Sequence, residues 1–159
     1  VAIEVCSQCV FDCDATIVDD MPGPFPVGFI VAGINIQAWP LHSSRTRLTV
    51  TTDKYERSIA GTVFADGRPR IIQVRDINME FEIMPHMMFV RNTDKPGFIG
   101  KLGSITAEHG INIATLNLGR DKPGGDAICI AAFDVQVPDS VLTAVKALPQ
   151  VMRVNKLEF

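Results

Sequence analysis

The stretch of sequence that decides the fold runs from Met87 to Leu118 and reads MMFVRNTDKPGFIGKLGSITAEHGINIATLNL. Its first residues form an apolar run that ends at Phe89 and Val90 and predicts a strand. Gly110 stands where a helix commonly ends in a left-handed residue, and apolar–polar alternation resumes after it. The stretch therefore predicts a strand, a helix and a second strand in succession.

The middle of this stretch has the pattern of a helix with one buried face. Pro96 fits the first helical turn, because the N–H group that proline lacks would have no partner there. Gly97 has no Cβ, so a ligand can lie close to the backbone at that point. The apolar residues recur at three- and four-residue spacing and predict a buried stripe formed by Phe98, Ile99, Leu102 and Ile105.

Short polar residues flank the predicted helix and indicate a binding notch. Asn92 and Asp94 precede the helix start, whose free N–H groups carry partial positive charge. The carboxylate of Asp94 can accept hydrogen bonds from an ammonium group, and the helix start can bind a carboxylate. Asn112 follows the helix and can face the notch from the same copy of the chain or from another copy. Together these groups have the chemistry to bind a free amino acid.

At these residues the sequence resembles a known family. The stretch from Met87 to Leu118 resembles the ACT domain, an amino-acid-sensing module. Two longer runs resemble the C-terminal regulatory part of the D-3-phosphoglycerate dehydrogenases in their long bacterial form. The first run begins at Arg57 and reads RSIAGTVFADGRPRIIQVRDINMEFEIMPHMMFVRNTDKPGFIGKLG, and the second begins at Gly119 and reads GRDKPGGDAI. The resemblance covers residues 46–159 and is specific over residues 57–159.

The resemblance implies an α+β fold in two units. Residues 1–84 correspond to a small, mainly antiparallel β/α domain, the intervening allosteric domain in truncated or divergent form, with residues 6–45 unassigned. Residues 86–159 correspond to a ferredoxin-like βαββαβ ACT domain. The boundary falls at Met84-Pro85-His86, and because this connection is short we expect the two units to pack together.

The resemblance also implies a function in serine biosynthesis. The parent dehydrogenase would oxidise 3-phosphoglycerate with NAD in the cytoplasm, using catalytic domains outside this chain, so no cofactor is expected in this fragment. The ACT units would pair edge to edge into a homo-oligomer and hold L-serine at the joint for feedback control. On this resemblance the effector-binding residues are Asn92, Asp94, Lys95, Pro96, Gly97, Phe98, Ile99, Asn112 and Ile113.

The first unit is predicted from alternation and turn signals. Strands starting near Thr46, Ser58, Arg70 and Ile77 predict an antiparallel sheet of about four strands, which needs a covering layer on its apolar side. The segment from Cys6 to Arg45 is rich in proline and glycine, so we expect irregular structure there. Val1 to Val5 has the composition of a strand, and Ile30 to Ile36 is compatible with one short strand.

The remaining strands and the second helix of this unit are predicted from apolar patterns and from the positions of prolines. Ala127 to Val135 is an almost continuous apolar run, as in a central strand covered on both faces. A second helix opens at Pro138-Asp139, and Pro149 ends it. Val151 to Phe159 is predicted as the last strand, with a bulge near Asn155-Lys156 where the alternation changes phase.

Size and charge exclude several classes of protein. With 159 residues the chain can form one ordinary domain or two small ones, and its net charge of −3 gives no basic footprint for nucleic acid. The longest apolar run, Val27 to Trp39, is interrupted and shorter than the roughly 20 residues that span a bilayer. The chain begins with Val1 rather than Met, so we expect a piece of a longer polypeptide.

Nucleic-acid and nucleotide motifs fit poorly. Gly100 to Gly103 has the G-x-x-G shape of a KH-type RNA-binding loop. However, Pro96 and Gly97 leave no room for the helix that should precede it, and Gly110 follows too soon for the long helix that should come after. The spacing of a phosphate-binding loop and the dinucleotide fingerprint are also missing, and no catalytic residues are assigned.

Cysteines suggest one further alternative, a metal site. Cys6, Cys9 and Cys13 are spaced so that their thiolates could reach one ion, with His42 or an aspartate as fourth ligand. Three ordinary thiols in a reducing cytoplasm are the favoured interpretation, so no metal is expected. Cys129 lies in the apolar run and is predicted to be inert core packing.

Several arginines and histidines lie outside the notch. Arg68, Arg70 and Arg75 form a possible anion site, although a hairpin edge protected by charge is the favoured interpretation. His86 and His109 have no nearby nucleophile, so a boundary or helix-terminal role is expected.

Three functions from different classes therefore remain. The favoured one is an amino-acid-sensing and oligomerisation region that is not an enzyme by itself. A ligand-free dimerisation module is the second, and the regulatory part of an iron–sulfur L-serine dehydratase is the third. The runs RSIAGTVF and GRDKPGGDAI favour the dehydrogenase over the dehydratase.

Overall fold

The computed structural model describes the backbone of residues 28–31, 34–38, 45–51 and 56–159. Side chains are described for Arg47, Thr49 and residues 56–159. The predicted strand from Val1 to Val5 and the cysteines at positions 6, 9 and 13 lie outside the described residues.

The N-terminal part of the described chain is one antiparallel sheet of six strands in sequence order. Each strand pairs with the next in antiparallel fashion. The strands are β1 (Gly28–Val31), β2 (Ile34–Ala38), β3 (Arg45–Thr51), β4 (Glu56–Val63), β5 (Pro69–Val74) and β6 (Ile77–Phe81).

Two expectations for this sheet were wrong. The predicted sheet of about four strands has six, and the single short strand over Ile30 to Ile36 is a pair, β1 and β2, with Val31 opposite Ile34. The prolines that suggested irregular structure, at positions 22, 24, 26 and 40, all lie outside these two strands. Proline disrupts a strand only where it would have to donate to the ladder, so its density around a strand does not exclude the strand.

The C-terminal part has the predicted βαββαβ order, which confirms the ferredoxin-like α+β arrangement. Its sheet has four antiparallel strands in the order β10-β7-β9-β8. The elements are β7 (His86–Thr93), α1 (Phe98–Glu108), β8 (Ile113–Arg120), β9 (Asp126–Phe133), α2 (Asp139–Lys146) and β10 (Val151–Glu158).

Both faces of this four-stranded sheet are covered. One face packs against α1 and α2 through a cluster that includes Val90, Leu102 and Val141. The other face packs against the six-stranded sheet through a second cluster that includes Phe89, Ile130 and Phe81. The central strand β9 is buried from Ala127 to Phe133, which confirms that it is covered on both faces. The layer that covers the apolar side of the six-stranded sheet is therefore the face of the four-stranded sheet that points away from the helices.

A glycine sets the close approach of the two sheets. A Cβ atom added to Gly119 in β8 would lie 2.6 Å from Cγ2 of Ile77 and 2.9 Å from the carbonyl oxygen of Asn78, both in β6. Real Cβ atoms do not approach other atoms this closely. Only glycine therefore allows β6 to lie against β8 in this way.

Three local predictions need correction. Helix α1 begins at Phe98, so Pro96 lies in the turn before the helix rather than in its first turn. Ile99 is 50% exposed, because the buried face of α1 runs through Phe98, Leu102 and Thr106. The bulge in β10 falls between Val151 and Arg153 rather than near Asn155.

Neither helix in the described part of the chain has the length and apolar character needed to cross a bilayer.

Candidate functional site

The C-terminal end of β7 carries the first group of the predicted notch. Asn92 is only 2% exposed, and its side-chain Nδ2 donates to the carbonyl oxygen of Thr93 at 3.0 Å. Its Oδ1 is buried and accepts no hydrogen bond from any described residue. A buried acceptor without a partner is costly, and in native structures it often indicates a missing water or ligand.

Asp94 lies two residues after Asn92 and is contacted by the loop between β8 and β9. Its Oδ2 accepts from Nη1 of Arg120 at 2.6 Å and from the backbone N–H of Gly124 at 3.2 Å. These bonds, the guanidinium first, hold the pKa of the Asp94 carboxyl below its ordinary value of 3.8. The side chain of Asp94 is 21% exposed, so solvent still reaches it.

The loop that carries these donors is shaped by its own backbone. The N–H of Asp121 donates to the carbonyl of Asp126 at 3.0 Å, and the N–H of Gly125 donates to the carbonyl of Lys122 at 3.0 Å. Gly124 has a φ of 73°, a conformation that favours glycine. The N–H of Asp94 donates to the carbonyl of Gly125 at 2.8 Å, so the loop is hydrogen-bonded to the end of β7.

The start of helix α1 is open. Gly97 is the N-cap residue with a left-handed φ of 91°, and no side chain caps the helix. No acidic residue occupies the first turn either. The early N–H groups of a helix have no intrahelical partner, so this end presents donors and partial positive charge. The predicted site residues Lys95, Pro96 and Ile99 are exposed beside it, and Phe98 is buried beneath it.

Asn112 lies far from this end within one copy of the chain. Thr93 at the end of β7 pairs with Asp126, whereas Ile113 at the start of β8 pairs with Phe133, at the opposite end of β9. The length of β9 separates the two ends by roughly 20 Å. Asn112 is exposed, and its Nδ2 donates to Oδ2 of Asp134 at 2.7 Å. Asn112 therefore cannot join Asn92 and Asp94 in a notch within one copy.

Comparisons with known proteins agree with this fold. Residues 86–150 match the family model described as the ACT domain. Residues 30–75 match the model of the D-3-phosphoglycerate dehydrogenase intervening domain. The chain combines an intervening domain with an ACT domain. The βαββαβ unit that starts at β7 is accordingly called the ACT domain below.

Several relatives are similar over this region. D-3-phosphoglycerate dehydrogenase of Bacillus subtilis is 28% identical over 109 residues, which cover 69% of this chain and 21% of the relative. The same enzyme of Synechocystis is 32% identical over 104 residues, covering 65% of this chain and 19% of the relative. The probable L-serine dehydratase beta chain of Bacillus subtilis is 23% identical over 130 residues, covering 79% of this chain and 59% of the relative. The chain spans about a fifth of the length of the dehydrogenases it matches.

The possible anion site of Arg68, Arg70 and Arg75 does not form as one cluster. Arg70 contacts the carboxylates of Asp66, Glu80 and Glu82, and its guanidinium also lies 4.5 Å from the ring centroid of Phe64. Arg68 lies 3.6 Å from Glu82 and is 68% exposed. Arg75 occupies the turn at the other end of β5. The first two arginines are thus neutralised by carboxylates, as the charged hairpin edge predicts.

The structure places the predicted core cysteine and the helix-terminal histidine in structural roles. Cys129 is fully buried in β9, and burial raises the pKa of its thiol to about 12, which confirms inert packing. His109 is the C-cap residue of α1, and its Nδ1 lies 2.8 Å from the carbonyl oxygen of Ile105. Among the described residues no cluster of histidine, cysteine, aspartate or glutamate is arranged to hold a metal.

Sequence reasoning missed the contacts of Arg120 and Gly124 with Asp94. Both belong to the run GRDKPGGDAI, which carried the family resemblance without being given a role. The combination of an arginine with two consecutive glycines next to a predicted turn was the available signal, since such turns present both a cation and backbone N–H groups.

Proposed function

We propose that this chain is the amino-acid-sensing regulatory region of a D-3-phosphoglycerate dehydrogenase, and that its ACT domain binds L-serine for feedback control of serine synthesis. ACT domains bind small amino-acid ligands, and several relatives are named as this dehydrogenase over the matched region. Catalytic domains with NAD, and a cytoplasmic location, belong to this proposal for the whole protein. So does the division into an intervening unit, residues 1–84, and an ACT unit, residues 86–159.

The observation that carries the proposal is the buried, unpartnered Oδ1 of Asn92. It lies at the end of the same strand that leads to Asp94 and to the uncapped start of α1. These three features supply an acceptor, a carboxylate and a set of N–H donors within six residues of chain, from Asn92 to Gly97. A zwitterion needs acceptors for its ammonium group and donors for its carboxylate, and this end of the ACT domain provides both.

The position of Asn112 supports a site shared between two copies. Strand β8 is an edge of its sheet, with Asn112 just before its start and Arg120, bound to Asp94, at its end. If β8 pairs with β8 of a second copy about a two-fold axis, the start of one strand meets the end of the other. Asn112 of one copy then lies near Asp94 of its partner. Leu118, 42% exposed on this edge, would be covered by the same pairing.

The ion pair between Asp94 and Arg120 suggests how the site responds to its ligand. Both bonds to the Asp94 carboxylate use Oδ2, and Arg120 is 53% exposed. The ammonium group of serine competes with Arg120 for this carboxylate, so binding weakens the side-chain contact between the loop of residues 120–125 and the end of β7. The ligand then favours one arrangement of the subunits over another, which is the requirement for allosteric control.

The experiment that tests this proposal is calorimetry against a panel of amino acids. We expect serine to bind most tightly and glycine weakly, because the hydroxyl group adds a hydrogen bond that glycine cannot make. The double variant Asp94→Ala, Asn112→Ala should remain folded and lose this binding. Equal serine affinity in the double variant would place the site elsewhere, and a folded wild-type chain that binds no amino acid would support a ligand-free dimerisation module.

A second candidate function is the regulatory part of an L-serine dehydratase. It is favoured by the match to the probable L-serine dehydratase beta chain, which covers 79% of this chain and 59% of that relative. The genomic neighbours of the full-length gene separate the two candidates, since the dehydratase requires a second, iron–sulfur subunit whereas the dehydrogenase requires a nucleotide-binding domain.

A further inference from the structure

Asn112 and Asp134 contact each other at the end of the sheet where β8 begins and β9 ends. Ile113 at the start of β8 pairs with Phe133 at the end of β9, so the next residues outward also lie opposite each other. The side-chain Nδ2 of Asn112 donates to Oδ2 of Asp134 at 2.7 Å. The backbone N–H of Asp134 donates to the carbonyl oxygen of Asn112 in a longer bond of 3.5 Å. The register of the two strands therefore holds this amide and this carboxylate together.

The carboxylate of Asp134 decides which way the amide of Asn112 is turned. An ionised carboxylate has acceptors only, whereas an amide has an NH2 group at one end and a carbonyl oxygen at the other. Asn112 must therefore turn its NH2 group toward Asp134. Its Oδ1 then lies on the other branch of the planar amide, and Asn112 is exposed. The atom that the amide presents on the side away from Asp134 is an acceptor.

Asp134 also carries a negative charge at this end of the sheet. Asp134 is exposed, and none of the ion pairs between described residues includes it. Its side-chain partner, the amide of Asn112, is neutral. This end of the sheet therefore presents a hydrogen-bond acceptor with a full negative charge behind it, a combination that favours a cationic donor.

Pairing of two copies through β8 would bring this acceptor to the proposed serine site of the other copy. The start of one β8 then lies beside the end of the other, where Arg120 binds Asp94 at 2.6 Å. The charges of Arg120 and Asp94 cancel within one copy, so Asp134 of the partner subunit adds one negative charge in excess. Charges less than about 10 Å apart interact appreciably at an ionic strength of about 0.1 M. An ammonium group at the joint supplies the missing positive charge.

We propose that Asp134 is a positioning residue of the serine site, which holds Oδ1 of Asn112 toward the partner subunit and so makes the site select ligands with a free ammonium group. This inference rests on the proposed serine site and on pairing through β8. The ammonium group would lie between Asp94 of one copy and Asn112 of the other, with the ligand carboxylate at the uncapped start of α1. The ligand class is therefore α-amino acids, because a hydroxy acid of the same size lacks the group that the joint recognises.

The first test compares L-serine with L-glycerate, which carries a hydroxyl group where serine carries its ammonium group. Calorimetry on the full 159-residue chain measures both affinities at a constant ionic strength of about 0.15 M. We expect the wild type to bind serine about a hundredfold more tightly than L-glycerate or better, because one uncharged hydroxyl group cannot satisfy two acceptors. Equal affinity for the two ligands would overturn the proposal.

The decisive variant is Asp134→Asn, because it keeps the size of the side chain and removes the charge. An amide at this position can donate as well as accept, so Asn112 can turn either end of its own amide outward. We expect serine affinity to fall about tenfold, and the preference for serine over L-glycerate to narrow by a similar factor.

Glu108→Gln is the matched control for the loss of one negative charge. Glu108 is the last residue of α1 and stands four residues before Asn112 in the sequence. It is exposed, as Asp134 is, but it has no part in the proposed contact with the ligand. Its substitution should leave the affinities for serine and for L-glycerate unchanged.

Sedimentation distinguishes this role from a purely structural one. Without serine, Asp134→Asn should dimerise as tightly as the wild type or more tightly, since the excess charge at the joint is gone. Serine should tighten the wild-type dimer more than the variant dimer, because the ammonium group neutralises a charge that only the wild type has. A role confined to holding the start of β8 in place would instead weaken the variant dimer under both conditions.

Failure of this inference and failure of the serine site give different results. If the wild type binds serine, and Asp134→Asn binds serine and L-glycerate with wild-type affinities, the serine site stands and Asp134 has no part in it. The same conclusion follows if the variant dimer is weaker with and without serine while the preference for serine is unchanged. A wild type that binds no amino acid overturns both proposals. If Asp134→Asn does not fold, Asp134→Ser replaces it under the same criteria, since a hydroxyl group also removes the charge and can donate as well as accept.

Discussion

At the scale of single residues, the chemistry of the proposed serine site depends on the state of the Asp94 carboxylate. It is bound to Arg120 at 2.6 Å and to the N–H of Gly124 at 3.2 Å. An exposed ion pair contributes roughly 0.2–1 kcal/mol, which is small compared with the binding energy of a well-fitted ligand. Arg120 can therefore hold the carboxylate in place and still give way to an ammonium group.

We predict that Arg120→Gln raises the affinity for serine by up to about fivefold, because the competing cation is removed. Calorimetry of the variant against the wild type measures the change. Lys122→Gln is the matched control, since Lys122 belongs to the same loop but bonds to Asp121 through its backbone N–H. Weaker serine binding by Arg120→Gln would show instead that the guanidinium contacts the ligand.

The lowered pKa of Asp94 predicts how the stability of the fold depends on pH. Because the folded-state pKa lies below the ordinary value of 3.8, ionised Asp94 stabilises the fold above that value. This contribution is lost as the pH falls through the lowered pKa. The difference in Tm between the wild type and Asp94→Asn should therefore shrink as the pH falls below about 4. In an Arg120→Gln background the pH dependence should be smaller, and an unchanged profile there would contradict the assigned cause.

Local chemistry made part of this site predictable. Asn92, Asp94 and Gly97 were found because short polar residues and a glycine stand where a strand gives way to a helix. Arg120 was missed because it is 26 residues from Asp94 in sequence, and their contact depends on the turn before β9. Pairings of this kind follow from tertiary structure and have no local pattern.

At the scale of elements, the contact between β6 and β8 joins the two sheets. Gly119→Ala should lower the free energy of unfolding by about 1–3 kcal/mol, because the added methyl group would overlap Ile77 and the backbone of Asn78. Gly100→Ala is the matched control, since Gly100 lies in α1 with open space around its Cβ position. That control should raise stability by about 0.5–1 kcal/mol. Urea unfolding measures both variants, and an unaffected Gly119→Ala would show that the sheets can move apart at no cost.

The spacing of apolar residues predicted the order of the strands and helices better than it predicted which individual side chains are buried. The strand–helix–strand order around α1 and the covered strand β9 follow directly from apolar spacing. Ile99 was placed in the buried stripe because it is apolar, yet it lies about 100° around the helix from Phe98 and is half exposed. The pairing of β1 with β2 was not predicted, because the prolines on either side of these two short strands indicated irregular structure.

At the scale of the whole molecule, the described residues form three layers, with the four-stranded sheet between the helices and the six-stranded sheet. Both of its faces are occupied, so a second copy can pair with this sheet through its edge strands β8 and β10. The proposed serine site lies at an end of the β8 edge. A sensor placed there converts ligand binding directly into a change in how two copies fit together.

The separation of Asn112 from Asp94 is a property of the whole molecule that no local pattern could reveal. Both residues flank the same helix in sequence, and only the register of β7, β8 and β9 shows that they lie at opposite ends of the sheet. A site that uses both must therefore combine two copies. This requirement distinguishes a site shared between copies from a site within one copy.

Complementation between single variants tests whether two copies share one serine site. Asp94→Ala and Asn112→Ala, each alone, should bind serine poorly. After mixing in equal amounts with subunit exchange, half of the dimers are mixed and carry one intact site of two, so about a quarter of all sites should recover wild-type serine affinity in calorimetry. A mixture that recovers no binding, or single variants that bind as the wild type does, would contradict a serine site shared between copies.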